Sequence, residues 1–500
     1  MTVSGVGSVS SGMLQSILDM RSQLDDLQRQ LGTGEKSDTY SGLGLDSGLT
    51  VSLNAQLAAL NSYGSTINMV TTRIGVASTA LQQMSSYAGD VKSATLSTPF
   101  DPDDTGQTTT QKIALADLGS FLGLLNTQVA NRYIFSGQAT DQPAVDTMDH
   151  ILNGNGPQAG LKQVIQERNE ADLGADGLGR LAIGAPTTSS VTLAETPDGT
   201  ASPFGLKLAG VTSNLTGATV TGPTGSPPAI SVDFSGTPAD GQTIKYTFTL
   251  PDGTSDSVTL EAVSGTPTSP NQFVIGATPD QTAANMKASL SAALTTFGQT
   301  TLSAASAVAA SDNFFDNPPQ RVNGAPPSAS TALVDGTAAD TVIWYTGGDT
   351  AGSARSTATA KIDQSITVSY GTQANEQGIR QALQGIATAA AVTYSAADPN
   401  AAARNQALST RLNTALSAPP GTQSIQGIET DLANAQSAMK AASTRQQQTT
   451  NTLTDLLQKV STVPPEQVGA QILALQTSLQ ASLQTTAMLS QISLINYLPA

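Results

Sequence analysis

The residues able to do chemistry are few, and their spacing does not suit it. His150 is the single histidine of 500 residues, so a two-histidine metal site cannot form within one chain. Its context, Asp146-Thr-Met-Asp-His150, lacks the Gly-x-Ser-x-Gly turn that would present a nucleophilic serine to it. Asp101, Asp103 and Asp104 crowd one loop, but the spacing and the distal glutamate of a calcium loop are missing, so an exposed turn is the expectation. Gly32-Thr-Gly-Glu-Lys-Ser37 has the composition of a phosphate loop. Glu35 breaks the Gly-Lys-Ser adjacency, however, and the segment follows a helical pattern, so a helix stop is the better reading. Gly174-Ala-Asp-Gly-Leu-Gly179 has no strand before it and reads as a turn. Trp344, the sole tryptophan, lies in Thr341-Val-Ile-Trp-Tyr345, which predicts a buried strand. The absence of cysteine excludes disulfides, thiolate metal ligation and cysteine nucleophiles together. No catalytic centre, cofactor or metal is expected, and the protein does not read as an enzyme.

What remains is architecture. Only 12% of the chain is charged and 4% aromatic, so few large side chains are available to anchor a compact core. Stability then depends on long helix seams, small sheets or neighbouring subunits. The formal net charge of -16 disfavours nucleic acid as a partner, because phosphate contact needs concentrated Lys and Arg. No run of 18 apolar residues predicts membrane insertion. No basic residue precedes Arg21 and no apolar run follows it, so a cleaved leader peptide is not expected.

Apolar periodicity is concentrated at the two ends. Met13, Ile17, Met20, Leu24, Leu27 and Leu31 alternate by four and three, the seam of a coiled-coil-like helix that Gly32 and Gly34 stop. The Gly-rich joint Ser41-Gly-Leu-Gly-Leu-Asp-Ser-Gly48 predicts an irregular turn. A second helix bears Leu53, Leu57, Leu60, Ile67, Val70, Ile74, Ala77, Leu81 and Met84, and a third is expected over about 111–129. After Gly371, Ile379, Leu383 and Ile386 mark a short helix. The longest pattern then runs Ile425, Ile428, Leu432, Ala435, Met439, Ala442, Gln446, Thr449, Leu453, Leu456, Val460, about 54 Å of helix. Pro464-Pro465 ends it. The last helix bears Val468, Ile472, Leu475, Leu479 and Leu483, continuing through Leu489, Ile492 and Ile495.

Between these ends, from about 186 to 360, Gly, Pro, Thr and Ser dominate. Ile244-Lys-Tyr-Thr-Phe-Thr-Leu250 and Ser257-Val-Thr-Leu-Glu-Ala-Val263, joined through Pro251-Asp-Gly-Thr254, predict a β-hairpin, and 280–297 predicts a helix among strands. The expected fold is α+β: long antiparallel, coiled-coil-like helices from both chain termini with a β-rich inserted outer domain. The expected divisions are a helical region at 1–185, the β-rich insert at 186–360, and a helical region at 361–500 that packs on the first. A monomeric helical bundle is the plain alternative.

Several local stretches carry a family resemblance. Leu24-Asp-Asp-Leu-Gln-Arg-Gln-Leu-Gly-Thr-Gly-Glu-Lys36 is similar to the N-terminal helix and joint of the flagellin family of bacterial flagellar axial proteins. Asn131-Arg-Tyr-Ile-Phe-Ser-Gly137 resembles the "Arg-Tyr-Leu-Phe-Ala/Ser-Gly" stretch of that family's hook–filament junction branch. The C-terminus, from Leu475 through Leu489-Ser-Gln-Ile-Ser-Leu-Ile-Asn-Tyr-Leu498, is also closer to that branch. The joint departs from the family pattern: Ser37-Asp-Thr-Tyr-Ser-Gly-Leu-Gly-Leu-Asp46 stands where Asp-Asp-Pro or Asp-Asp-Ala is usual.

The resemblance covers 1–185 and 360–500 and implies a secreted structural subunit of the flagellum. It implies passage unfolded through the flagellar type III export channel with an export chaperone, followed by self-assembly through the terminal helices. Partners would be copies of itself and neighbouring axial proteins, namely hook-associated proteins and flagellin. The residues it implies for assembly are Ile17, Leu24, Leu31, Leu432, Met439, Leu475, Leu479, Ile492 and Leu498. A main filament flagellin, and a stalked adhesin whose β-rich middle engages a ligand, are the alternatives.

Overall fold

A computed structural model describes residues 4–197, 202–349, 352–395, 397–417 and 421–495. The helices are α1 (Ser4–Thr33), α2 (Ser47–Ser97), α3 (Thr109–Leu125), α4 (Met148–Asn153), α5 (Leu161–Leu173), α6 (Pro279–Phe297), α7 (Ser303–Phe314), α8 (Gln377–Ala391), α9 (Ala401–Ala415), α10 (Ile425–Ser461) and α11 (Pro465–Ile495). The strands are β1 (Gln128–Val129), β2 (Arg132–Tyr133), β3 (Leu181–Gly184), β4 (Ser190–Glu195), β5 (Lys207–Ser213), β6 (Ala218–Thr224), β7 (Ala229–Phe234), β8 (Thr243–Thr249), β9 (Ser255–Val263), β10 (Gln272–Val274), β11 (Gln320–Val322), β12 (Leu333–Asp335), β13 (Thr359–Lys361) and β14 (Thr367–Ser369). This is the α+β arrangement expected, with long helices at both ends and strands between them.

The chain forms two compact units. One comprises 1–71, 360–368 and 437–500, and the other 72–359 and 369–436. The first unit brings together the two chain ends. α1 packs along α11, and the turn between β13 and β14 reaches α10, where Gln446 donates a side-chain hydrogen bond to the Ile362 carbonyl and Arg445 lies 3.5 Å from Asp363.

The second unit holds two four-stranded sheets, ordered β3-β4-β7-β6 and β10-β9-β8-β5. All pairings in them are antiparallel except β10 with β9. The predicted hairpin is present as β8 and β9, in register from Thr243 opposite Glu261 to Thr249 opposite Ser255. Alternation sends Ile244, Tyr246 and Phe248 inward and leaves Lys245 exposed. These side chains pack with Leu193, Ile230 and Val232 of the other sheet and with Met286, Leu290 and Leu294 of α6. α6 begins at a Thr278 cap that accepts from the Gln281 amide, with Pro279 in its first turn. A π turn at Gly298–Leu302 leads into α7.

Two expectations are corrected here. The third helix ends at Leu125 rather than near 129, because Gln128-Val129 pairs with Arg132-Tyr133 across a two-residue turn. Ala130 and Asn131 both take the left-handed conformation there, with φ of 52° and 58°, as a tight hairpin turn requires. Trp344 is buried as expected but lies outside the named strands; the local pairing is an isolated bridge from Val145 to Tyr345. Its indole N–H donates to the Asp316 carbonyl at 3.2 Å, and Phe315 stands edge-on at 5.3 Å.

Candidate assembly surface

The dismissed chemical motifs take the structural roles their sequences suggest. His150 sits on α4 with Nδ1 2.9 Å from Asp146 Oδ1. Asp103 closes its own loop: Oδ1 accepts from the Thr105 amide and hydroxyl and from the Gln107 amide, and Oδ2 lies 2.7 Å from Lys112 Nζ. Those contacts, the lysine first, hold its carboxyl well below the usual carboxylate range. Gly34 follows the end of α1 with φ of 74°, and Gly174 follows α5 with φ of 71°, both as helix stops. Among the described residues, no group of His, Cys, Asp or Glu is placed to hold a metal.

The terminal helices are built for contact instead. On α1, Met13, Ile17, Met20, Leu24 and Leu27 are half-buried, following the predicted seam. Leu31 leaves it and is exposed. Gln30 turns inward in its place, and its side-chain amide donates to the Lys36 carbonyl at 3.0 Å. On α11 the covered side chains are Val468, Ile472, Leu475, Leu479, Ser482 and Thr486, spaced alternately by four and three, with Gly469 half-buried beside the first. The predicted seam placed Leu483 here. The structure turns Leu483 outward and puts Ser482 in its place, because a helix held in a 3.5-residue repeat keeps 482, not 483, above 475 and 479.

A two-helix pair covers only one strip of each partner. Leu14 and Leu18 on α1 are 55% and 53% exposed, and Leu473, Leu483 and Met488 on α11 are 66%, 43% and 62% exposed. No Asp, Glu, Lys or Arg occurs after Glu466, so beyond its first turn α11 presents apolar and neutral polar groups alone. Still, no helix among the described residues is long and apolar enough to cross a membrane.

A backbone clasp fixes the base of this pair. The Lys36 amide donates to the Ser461 carbonyl at 2.8 Å and the Val463 amide to the Gly34 carbonyl at 3.1 Å, an antiparallel bridge centred on Glu35 and Thr462. Arg29 closes the joint from the helix side, with Nη1 2.7 Å from Asp38 Oδ1, and Lys36 lies 3.6 Å from Asp46. The joint itself is a 3₁₀ turn at Tyr40–Asp46 that Gly44 breaks with φ of 59° and ψ of -123°, the irregular turn its glycines predicted. Tyr40, Leu45, Leu49 and Val51 are exposed on and beside it.

Leu432 and Met439 of α10 are buried. The inward face of α10 runs through Ala442, Gln446, Leu453 and Val460 as expected, and differs from expectation at two positions. Thr450 and Leu457 turn inward where Thr449 and Leu456 were expected, and those two are exposed. Thr450 and Leu457 lie beside Leu453 and Val460 on one face of the helix, three or four residues apart, so the inward strip is offset at those two turns alone. Ile492 lies in α11, its side chain outside the described residues, and Leu498 lies beyond them. The outward set of Leu14, Leu18, Leu473 and Met488 was not read from the sequence, although the i to i+4 pair Leu14 and Leu18 was visible beside the seam. The clasp partners were not legible either, since backbone pairing between 34–36 and 461–463 leaves no side-chain signature.

Residues 8–140 match the family model of the bacterial flagellin N-terminal helical region. The match spans α1, the joint, α2, α3 and the hairpin of β1 and β2. No curated protein matches the chain.

Proposed function

We propose that this chain is a structural, non-catalytic subunit of the bacterial flagellum that self-assembles through its terminal helices, at the hook–filament junction. The observation that supports the reading most directly is the coincidence of the flagellin N-terminal match with a helix pair that keeps large apolar side chains in water. A monomer gains nothing from exposing Leu14, Leu18, Leu473, Leu483 and Met488, whereas a packed neighbour would bury them at roughly 25 cal/mol per Å² of apolar surface. The nine implied assembly residues then divide by role. Ile17, Leu24, Leu475 and Leu479 join the two ends within a subunit, Leu432 and Met439 fix α10, and Leu31 faces outward to a neighbour. Ile492 and Leu498 would extend the contact along the last residues.

In this reading the subunit travels through the flagellar export channel with a chaperone and meets hook-associated proteins on one side and flagellin on the other. The junction position is supported by the Asn131–Gly137 stretch and the C-terminal sequence. The β-rich middle would be the outward insert.

Electron microscopy of the purified protein, seeded with its own fragments, is paired with a deletion strain of the source bacterium. Short layers in vitro, and a strain that sheds flagellin into the medium, are the expected results. Long filaments would assign the chain to the filament itself. A monomer that neither polymerises nor alters flagella, but binds a surface through its middle, would replace the reading with the adhesin.

A further inference from the structure

The stretch Asn131–Gly137 builds a cleft with no evident role in joining the terminal helices. Arg132, Tyr133, Ile134 and Gly137 line it, together with Arg73 of α2 and Tyr370. The cavity is about 40 Å³, space for a carboxylate head but not for an extended ligand. Arg73 and Arg132 both line it, and neither makes an ion pair among the described residues. The Nε of Arg73 is buried and meets no acceptor among the described residues. Arg132, beside the left-handed turn of Ala130 and Asn131, makes one side-chain hydrogen bond, from Nη1 to the neutral Thr140 hydroxyl at 3.3 Å. By contrast, Arg29, Arg168, Arg321, Arg355 and Arg411 each contact a carboxylate.

We propose that this cleft receives a carboxylate side chain from a second copy of the chain, an inference that rests on the self-assembly reading and adds a charged contact to it. Two arguments select that occupant. A guanidinium is always charged, and two arginines lining one cleft with no carboxylate partner among the described residues favour an anionic oxygen there. The chain also has 38 acidic against 22 basic residues, so identical copies brought side by side repel one another unless unpaired cations are placed against the excess acids. In a chain this acidic, every neighbouring copy offers carboxylates in surplus.

The test uses the full-length protein and the double variant Arg73→Gln/Arg132→Gln. Seeded polymerisation is followed by sedimentation at low and high sodium chloride, and the monomer's melting is followed with added sodium acetate and sodium sulfate. The expected result is an unchanged monomer melting curve and a critical concentration raised roughly tenfold or more in the variant, the loss typical of a desolvated charge pair. The gap in critical concentration between wild type and variant should narrow as salt is raised, because salt screens the added charge pair. Equal assembly of both proteins, with the wild type polymerising normally, overturns this inference and leaves the self-assembly reading standing. A melting rise with millimolar sulfate or acetate that the variant lacks, together with equal assembly, makes the cleft a free-anion site and likewise overturns it. A wild type that never polymerises removes the self-assembly reading and this inference together.

Discussion

The amide of Lys36 and the carbonyl of Ser461 meet at 2.8 Å although 425 positions separate them in the chain (461 less 36). With the Val463 to Gly34 bond beside it, this contact makes the joint after α1 and the turn before α11 one structural piece. Val463→Pro removes the second donor and also fixes φ at 463 beside the bridge residue Thr462. The expected cost is about 1 kcal/mol, confined to the clasp. Hydrogen exchange at the Lys36 amide should accelerate while the amides of β8 and β9 keep their protection, and unchanged exchange at Lys36 would contradict the role assigned to the clasp.

The seam and the outward strip of α11 make opposite predictions. Leu479→Asp places a charge in the half-buried seam with α1 and should lower the thermal stability of the isolated subunit. Leu24→Asp should do the same from the other helix. Leu473→Asp and Leu483→Asp sit in water already and should leave the monomer's circular dichroism and melting within about 0.5 kcal/mol of wild type. They should nonetheless abolish polymerisation, because each would bring an unpaired charge into the contact between copies. Assemblies formed by Leu473→Asp at the wild-type rate would show that this strip is not the interface.

Arg411 and Asp252 form a buried ion pair at 2.8 Å, joining α9 to the turn between β8 and β9. Truncating the arginine leaves a carboxylate that is 3% exposed without its counter-ion, held by the Thr254 amide and hydroxyl alone. Arg411→Ala should cost about 3–5 kcal/mol in a chemical denaturation experiment, whereas the paired replacement Arg411→Leu/Asp252→Leu should recover much of that loss. A single variant as stable as wild type would mean that the turn moves to rehydrate Asp252.

Asp103 gives a pH prediction. Its folded-state titration is depressed, first by Lys112 and then by the Thr105 hydroxyl and the Gln107 amide. A depressed carboxylate adds stability that is fully present above its unfolded titration range and is lost as pH falls through the lower folded value. Carboxyl carbon NMR should show Asp103 still ionised below the ordinary carboxylate range. Lys112→Met should move its titration upward, and an Asp103 that titrates in the ordinary range in the wild type would refute the loop geometry.

Much of this was legible in the sequence because it is local. The seams of α1 and α10 follow from residue spacing, and the β8–β9 hairpin follows from two alternating runs around Pro251-Asp252-Gly253. The failures share a cause. Thr449 against Thr450, and Leu483 against Ser482, are one-residue choices decided by how a helix twists against its partner, and hydrophobicity alone picked the leucine. α9, Ala401–Ala415, escaped notice because its buried residues are Ala401, Leu408 and Leu412, too sparse to mark a period. The sheet orders, with β10 parallel to β9, depend on pairings that no single segment announces. The arginine cleft joins α2, the β1–β2 hairpin and the segment near 370, and only the fold brings those together.

The exchange of Ser482 for Leu483 has a consequence in time. Toward its end, α11 offers hydroxyls to its own partner helix and leucine and methionine to the outside. The base of the pair, pinned at Lys36 and Ser461, can order in a solitary subunit. In the proposed assembly an arriving copy would bury Leu483 and Met488, so growth would zip from the pinned base of the pair along α11.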